Sequence, residues 1–499
     1  MKFYLINPDY MLYGDPPLGL AALAAYVIKH CSPLEVKILD QLKQNEILEV
    51  IGKEHPEMVC LAASSGNFFS VKQFASEIKQ ANPKTMILLG GVHITTCPDS
   101  FENASFDIAV RGEGEIATRK VVNSIKKNGG MKKNELLKIP GLLFKDAEGK
   151  TLNTGISESV KNLDELPLPA RHLLNMSYYS LPRFSAEEDI EPIGSMLTAR
   201  GCPFTCKFCS SASFWGRGVR FHSAKRVVEE IEELYKQYGY RHIYFYDDLF
   251  SLNRTRLEEM KNLLQKKGLL GKIRFSAYAR ANCFDDHTAN LFKELNVHAV
   301  TFGLESGSQR LLNYLKGNDI TLQDGIDALT RAKKFGLDPK GFFMIGSPTE
   351  TIEDMQATHD FIKKNCRENF IIYQALAYPG TEFWRYAVEN GLADPSFYEK
   401  PQKEFVDINP DMLLSKEMTK EDFEEYYTKI KSLTLPQRGS LFKKVLRIRP
   451  RHIKKMLSAE FLAKAYNLRK GFIKRVSENA EGYKVKAREE KEELPLITR

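Results

Sequence analysis

Short apolar runs alternate with amphipathic helical stretches twice along this chain, over residues 1–127 and again from Met196 to about residue 375. This restricts the fold to α/β architectures, because parallel strands need a crossover, usually a helix, between them. In the first block, strands are read at Phe3–Ile6, Val36–Leu39, Met58–Ala63, Thr85–Leu89 and Asp107–Val110. Helices are read at Leu18–His30, Gln44–Lys53, Val71–Gln80 and Glu115–Lys126. The expectation is a doubly wound sheet, flavodoxin- or Rossmann-like, with ligand loops at the strand C-termini.

In the second block, strands are read at Met196–Thr198, His242–Tyr246, Ile273–Tyr278, Ala299–Leu304, Lys340–Ile345 and Phe370–Ala375. The intervening helices are Ala224–Tyr238, Arg254–Lys266, Asp286–Leu295, a helical stretch Ser308–Phe335, and Thr351–Lys364. Six repeats are too few for a closed eight-fold barrel, so an open (β/α)6 barrel is expected, with its chemistry at the strand C-terminal ends. Between the blocks, 128–190 reads as a connector, with a β-hairpin over Gly141–Thr151 and an extended crossing at Leu166–Arg171. The domains are thus 1–127, 128–190, 191–384 and a mostly helical, basic region 385–499.

Three cysteines, Cys202, Cys206 and Cys209, follow the first strand of the second block with spacing C-x3-C-x2-C. Gly201 and Pro203 turn that strand into a loop, which can aim three thiolates at one point. Thiolates crowded like this usually bind a metal. A zinc site with His222 as fourth ligand is the plainer reading, but zinc sites usually pair two close-spaced ligand knuckles. A disulfide is weaker still. Five further cysteines are scattered, mostly in apolar segments, which fits a reducing cytoplasm. No signal-peptide pattern opens the chain. No apolar run reaches the ~18–20 residues needed to span a bilayer, and the longest candidate, Leu18–Ile28, reads as a buried helix.

The composition, 43% hydrophobic and 27% charged, is that of a soluble globular chain. A net charge of +8 is modest at 499 residues and gives no argument for nucleic acid. The C-terminal region joins a helical stretch, Leu413–Leu433, to a basic run from Lys443 to Arg475 interleaved with apolar residues. A solvated helical face explains that run. A peripheral contact with the inner membrane face, or with an anionic or lipid substrate, is the sharper alternative. Residues Ala480–Arg499 are charged and expected to fray.

The cysteine spacing, with Phe208 just before Cys209, resembles the signature of radical S-adenosylmethionine (radical SAM) enzymes, C-x3-C-x-aromatic-C. The resemblance implies a [4Fe–4S] cluster whose fourth iron holds the amino and carboxylate groups of SAM. Reductive cleavage of SAM, fed by a flavodoxin- or ferredoxin-like donor, then yields a 5′-deoxyadenosyl radical. Phe302-Gly303-Leu304-Glu305-Ser306-Gly307 closely matches the family, and Ala377–Thr381 also resembles it. By strand position the resemblance implies SAM contacts from Phe208, Asp247, Ser276, Arg280, Glu305 and Gly346. Asp247 would accept from the ammonium, Arg280 would face the carboxylate, and Glu305 would accept from ribose hydroxyls. Tyr246-Asp247-Asp248 stands where many members have Gly-Gly-Glu.

Four strand-end loops of the first block, Asp15–Gly19, Ser64–Asn67, Gly90–His93 and Arg111–Glu115, together resemble the cobalamin-binding domain of one large radical SAM class. They imply cobalamin contacts from Gly19, Ser64, Gly66, Gly90, Gly91 and Glu113. The D-x-H-x-x-G motif that supplies an axial histidine in the better-known cobalamin domains is absent. Asp285-Asp286-His287 has Asn290 at the glycine position and reads as a helix start. The activity implied is methylation of an unactivated carbon through methylcobalamin. A radical cyclase, coupling or rearrangement enzyme is the alternative within the class. A tRNA-modifying enzyme and a non-enzymatic iron–sulfur carrier rank below it. The substrate, a small molecule or lipid, is not identified.

Overall fold

The computed structural model describes residues 1–7, 15–40, 42–102, 104–179, 193–367, 369–401 and 408–434. All of them fall in one compact unit, 1–183 with 191–434. The basic run Lys443–Arg475 and residues Ala480–Arg499, which were expected to fray, lie outside the described residues.

The first sheet contains β1 Lys2–Asn7, β2 Glu35–Asp40, β3 Met58–Ala62, β4 Met86–Gly90 and β5 Ile108–Val110, all parallel, in the order β2-β1-β3-β4-β5. Strand alternation builds two cores on its two faces. Phe3 and Leu5 join Leu20, Ala24 and Val121 from the helices Leu18–His30 and Gly114–Asn128. Tyr4 and Ile6 join Ile47, Ile51, Phe74 and Ile78 from the helices Gln44–Glu54 and Phe68–Ala81.

The expected hairpin forms, but within this sheet. β6 Leu142–Lys145 pairs antiparallel with β5, and β7 Thr151–Asn153 pairs antiparallel with β6. The turn is set by Asp146, whose carboxylate accepts from Lys150 N and whose carbonyl accepts from Gly149 N at φ +80°. Leu142 and Phe144 enter one core and Leu143 the other. The hairpin therefore covers the edge that the three-residue β5 would leave open.

The second sheet is parallel and runs in sequence order among the described residues. Its strands are β8 Ile193–Met196, β11 His242–Phe245, β12 Arg274–Ala279, β13 Val297–Glu305, β14 Asp338–Ile345 and β15 Phe370–Gln374. A short antiparallel pair, β9 Ala199–Arg200 with β10 Arg220–Phe221, forms the neck of the cysteine loop. The open (β/α)6 expectation holds. The helical stretch expected over Ser308–Phe335 is two helices, Gln309–Lys316 and Leu322–Lys334. Gly317 at φ +88° ends the first, and a Thr321–Asp324 capping box starts the second. In the C-terminal region the helix begins at Lys420, not Leu413, after a Thr419–Asp422 capping box, and buries Phe423, Tyr427 and Ile430.

Candidate active site at the barrel mouth

The cysteine loop is fastened from below. Thr198 and Ala199, at its root, donate backbone N–H groups to the carboxylate of Asp247, and the Thr198 hydroxyl donates to it as well. Arg256 donates to the Thr198 carbonyl at 2.9 Å and lies 3.7 Å from Asp247. Asp247 is fully buried. Burial pushes its carboxyl upward, against the pull of Arg256 and these donors.

Asp247 was expected to meet a ligand ammonium, and its place corrects that. Along β11 the side chains alternate, so Ile243 and Phe245 enter the core while Tyr244 and Tyr246 face the barrel interior. Position 247 continues the core side. Asp248, on the other side, accepts from the Ser211 hydroxyl at 2.6 Å beside the cysteines. Alternation was the sequence signal that singles out Asp248.

The loop is also fastened from above. Lys207 N donates to the Leu315 carbonyl at 3.0 Å, and its ammonium lies 4.1 Å from the Tyr314 ring centroid. Phe208 packs on Phe383, 6.2 Å between centroids, so its ring seats the loop on the helix Glu382–Glu389. The N–H of Cys209 donates to the carbonyl of Cys206. Cys202, Cys206 and Cys209 carry free thiols. Among the described residues no three His, Cys, Asp or Glu side chains converge on one ion, and His222 faces Asp164 at 3.4 Å. Three free thiols on one loop suit the corners of a cluster.

Arg280 touches this loop directly. Its guanidinium stacks on Phe204 at 3.9 Å and donates to the Cys206 sulfur at 3.7 Å. A second edge forks onto both oxygens of Asp319 at 3.2 Å, and Nε donates to Asn282. Sequence reasoning missed Asp319, which lies 39 residues away in the loop after Gly317.

Glu305, at the end of β13, has φ +63° at a register shift in the β13–β14 pairing. Its carboxylate lies 3.1 Å from Lys316, which also donates to the Gly303 carbonyl at 2.6 Å. A Cβ on Gly303 would stand 2.4 Å from the Glu305 carboxylate, so this glycine makes the space that the acid occupies. Lys316 was not foreseen.

Ser276 lies below the mouth, and Gly346, just past the end of β14, is taken up by a packing contact. Ser276 is buried mid-strand, its hydroxyl 2.8 Å from His242 Nε2, near the start of β11. Gly346, at φ +79°, admits the ring of Phe423, which a Cβ would approach to 2.9 Å, and so seats the C-terminal helix. Between these levels, Tyr244, Tyr246, Tyr278, Phe342 and Tyr373 form an aromatic belt with neighbouring centroids 5.0–6.4 Å apart.

In the first sheet, the loops at the strand C-termini face this mouth. Tyr246 donates to Asp15 at 2.8 Å. The short helix Val92–Thr96 packs against Ser211–Trp215, and Gly380 comes so near Thr96 that a Cβ would lie 2.7 Å away. Gly19 and Gly66 are exposed, and a Cβ on Gly19 or Gly90 would meet no atom within 4 Å. Gly19 and Gly90 thus border open space.

The other three expected contacts have local partners. Ser64 forms a capping box with Asn67. Gly91, at φ +109°, passes Ala63, whose carbonyl a Cβ would approach to 2.4 Å. Glu113 is buried between Arg200 and Arg220, which fill its carboxylate. His93 is buried against Phe68, with Ser65 and Ser100 on its two ring nitrogens, and burial lowers its pKa to about 4. It offers no ring nitrogen to a metal.

Comparison with known proteins agrees with this architecture. The pattern of the Radical SAM superfamily matches residues 196–362, and that of the B12 binding domain matches residues 13–122. An uncharacterized methyltransferase of Pyrococcus horikoshii is 38% identical over 383 residues, covering 76% of this chain and 79% of that protein. The chain belongs to the radical SAM superfamily, in its B12-binding branch.

This radical SAM enzyme is also 26% identical to the cytidylyl-2-hydroxyethylphosphonate methyltransferase of Streptomyces wedmorensis, covering 81% of this chain and 85% of that protein. Among solved structures it shares the fold of the radical SAM methyltransferase TsrM from Kitasatospora setae with cobalamin and [4Fe–4S] cluster bound, at a TM-score of 0.63 and 17% identity, over 87% and 89% of the two chains. The family's cofactors are a [4Fe–4S] cluster, SAM and cobalamin. The free thiols on one loop fit the first, and the open glycines at the facing sheet edge fit the last. Among the described residues no helix is long and apolar enough to cross a membrane.

Proposed function

We propose that this radical SAM enzyme methylates an unactivated carbon of a small-molecule substrate. The observation that carries the reading is that the C-terminal edges of both sheets face each other across the cysteine loop, with Tyr246 joined to Asp15. A radical generated at the loop and a methyl donor on the opposite domain would share one chamber. Cys202, Cys206 and Cys209 would hold the cluster, and Gly19, Gly66 and Gly90 would border the corrin. When bound, the cluster with SAM supplies a hydrogen-abstracting radical, and cobalamin supplies a transferable methyl group.

The side chains of this chain orient and shield. Glu305, braced by Lys316, would accept hydrogen bonds from SAM. Asp248, not Asp247, would meet its ammonium. Arg280, held by Asp319, would place positive charge on the Cys206 side of the cluster and near the SAM carboxylate. The aromatic belt would exclude water from the radical and suits an apolar or ring-bearing substrate. Electrons would come from a reduced iron–sulfur or flavin protein.

The test is anaerobic reconstitution of the full chain with iron, sulfide and hydroxocobalamin, then incubation with methyl-labelled SAM and a reductant. About four irons and one cobalt per chain, with 5′-deoxyadenosine released, support the reading. Four irons without cobalt would shift it to the cyclisation reading. That alternative is favoured by 26% identity to an anaerobic magnesium-protoporphyrin IX monomethyl ester cyclase of Rubrivivax gelatinosus.

A further inference from the structure

The neck of the cysteine loop is clamped to the first domain by four charges. Arg200 lies two residues before Cys202 and pairs across the β9–β10 hairpin with Arg220. Two guanidinium groups directly opposite repel unless an anion separates them. Here Glu113 stands between them and accepts from both. Glu115 takes the second edge of Arg200 at 2.6 Å, and Arg220 also donates to the Val160 carbonyl at 2.6 Å. Both glutamates are buried, and the set closes at two positive and two negative charges. Such a set holds only with every member in place, because a single removal leaves a buried charge unpaired.

The neck has little freedom elsewhere. A Cβ on Gly201 would stand 2.3 Å from the Gly218 carbonyl, and the Arg200 guanidinium lies over Trp215 at 5.3 Å. Glu113 precedes and Glu115 opens the helix that follows β5, at the end of the first sheet where Gly19 and Gly90 stand open.

We infer that Glu113, Glu115, Arg200 and Arg220 form a positioning clasp through which the strand-end loop of the B12-binding domain sets the cysteine loop. Resting on the proposed function, this assigns the Arg-Gly-Glu-Gly-Glu loop to holding the cluster in place for SAM and not to holding cobalamin. The clasp carries no chemistry of its own. It acts through Cys202, and its loss would loosen the cluster's approach to SAM while the corrin edge stays intact.

The test uses the full chain reconstituted with iron, sulfide and hydroxocobalamin, comparing wild type with Glu115→Gln and Arg200→Lys. Two spectroscopic readouts are taken: cobalt per chain from the visible spectrum, and the change that added SAM makes in the electron paramagnetic resonance spectrum of the reduced cluster. The expected result is unchanged cobalt with a SAM response reduced at least about threefold in both variants. Arg200→Lys keeps a cation in the buried set but cannot fork between two carboxylates, so it remains informative where Glu115→Gln fails to fold. Lost cobalt with an intact SAM response would assign the glutamates to the corrin and overturn the clasp. Variants indistinguishable from wild type would also overturn it. Wild-type protein without a SAM-responsive cluster would instead defeat the radical SAM reading itself.

Discussion

The Glu305 carboxylate lies 3.1 Å from the Lys316 ammonium and directly over Gly303, whose missing side chain is the space it fills. A left-handed φ of +63° at a non-glycine residue is strain that surrounding structure must hold, and such strain gathers at working sites. Lys316 holds it twice, through the Gly303 carbonyl and through the acid.

Gly303→Ala should therefore act on Glu305 without touching a ligand. Its Cβ would displace the carboxylate, so SAM cleavage should fall by about 10- to 100-fold, the loss of a charge-assisted hydrogen bond of ~1.5–3 kcal/mol. Iron content should stay at the wild-type level. Counting 5′-deoxyadenosine against iron per chain checks it, and an equal loss of both would mean that Glu305 supports the fold and not SAM.

The adjacent acids Asp247 and Asp248 should behave oppositely. Asp247→Ala leaves Arg256 buried without its anion and the Thr198 and Ala199 donors without an acceptor. A cost of ~3–5 kcal/mol is expected, read as a lower urea midpoint in the apoprotein. Asp248→Ala removes one hydrogen bond from an exposed acid, so stability should move by less than ~1 kcal/mol while SAM affinity drops.

The glycines of the first domain separate in the same manner. Gly19 lies in the first turn of a helix with open space around it, so Gly19→Leu should leave the apoprotein as stable or gain up to ~1 kcal/mol from helix propensity. The new side chain would project into the space left for the corrin, and cobalt per chain should fall. Gly91→Ala should instead destabilise the apoprotein, because a Cβ would overlap the Ala63 carbonyl at positive φ. Thermal melts with and without hydroxocobalamin distinguish the two.

Both sheets were legible because their apolar runs and helix periods repeat with little interruption. The cysteine loop was legible because spacing alone fixes three thiols on one turn. What sequence hid was side-chain direction and long-range charge pairing. Asp247 and Asp248 are neighbours in sequence, and only the alternation begun at Ile243 sends one into the core and the other to the mouth. Glu113 reads as a ligand when its loop is considered alone, since nothing local announces arginines 87 and 107 residues away. Lys316 and Asp319 lay inside a stretch expected to be one helix, so neither was credited with reaching a strand end. Ser276 was misplaced in depth by half a strand, although its face of the strand was right.

The buried acid Glu350 gives the structure a pH dependence of calculable sign. Burial pushes its carboxyl to about 8, and the repulsion of Asp354 adds to this; the N–H groups of Ser347 and Gly346 and the charge of Arg310 pull the other way. Among the described residues, one carboxylate oxygen and the neighbouring Ser347 hydroxyl have no hydrogen-bond partner. The folded protein therefore keeps a proton that the unfolded chain, with an ordinary glutamate near 4.5, has released. Between about pH 4.5 and 8 the folded state binds more protons, so this group's contribution to stability falls as pH rises and levels off above the folded value. The total is of the order of a few kcal/mol. Glu350→Gln keeps an acceptor for Ser347 N and has no proton to lose. Its urea midpoint should thus exceed that of wild type at pH 9 and converge with it near pH 5. A wild-type midpoint that runs parallel to the variant's across this range would show that Glu350 is charged in the folded protein.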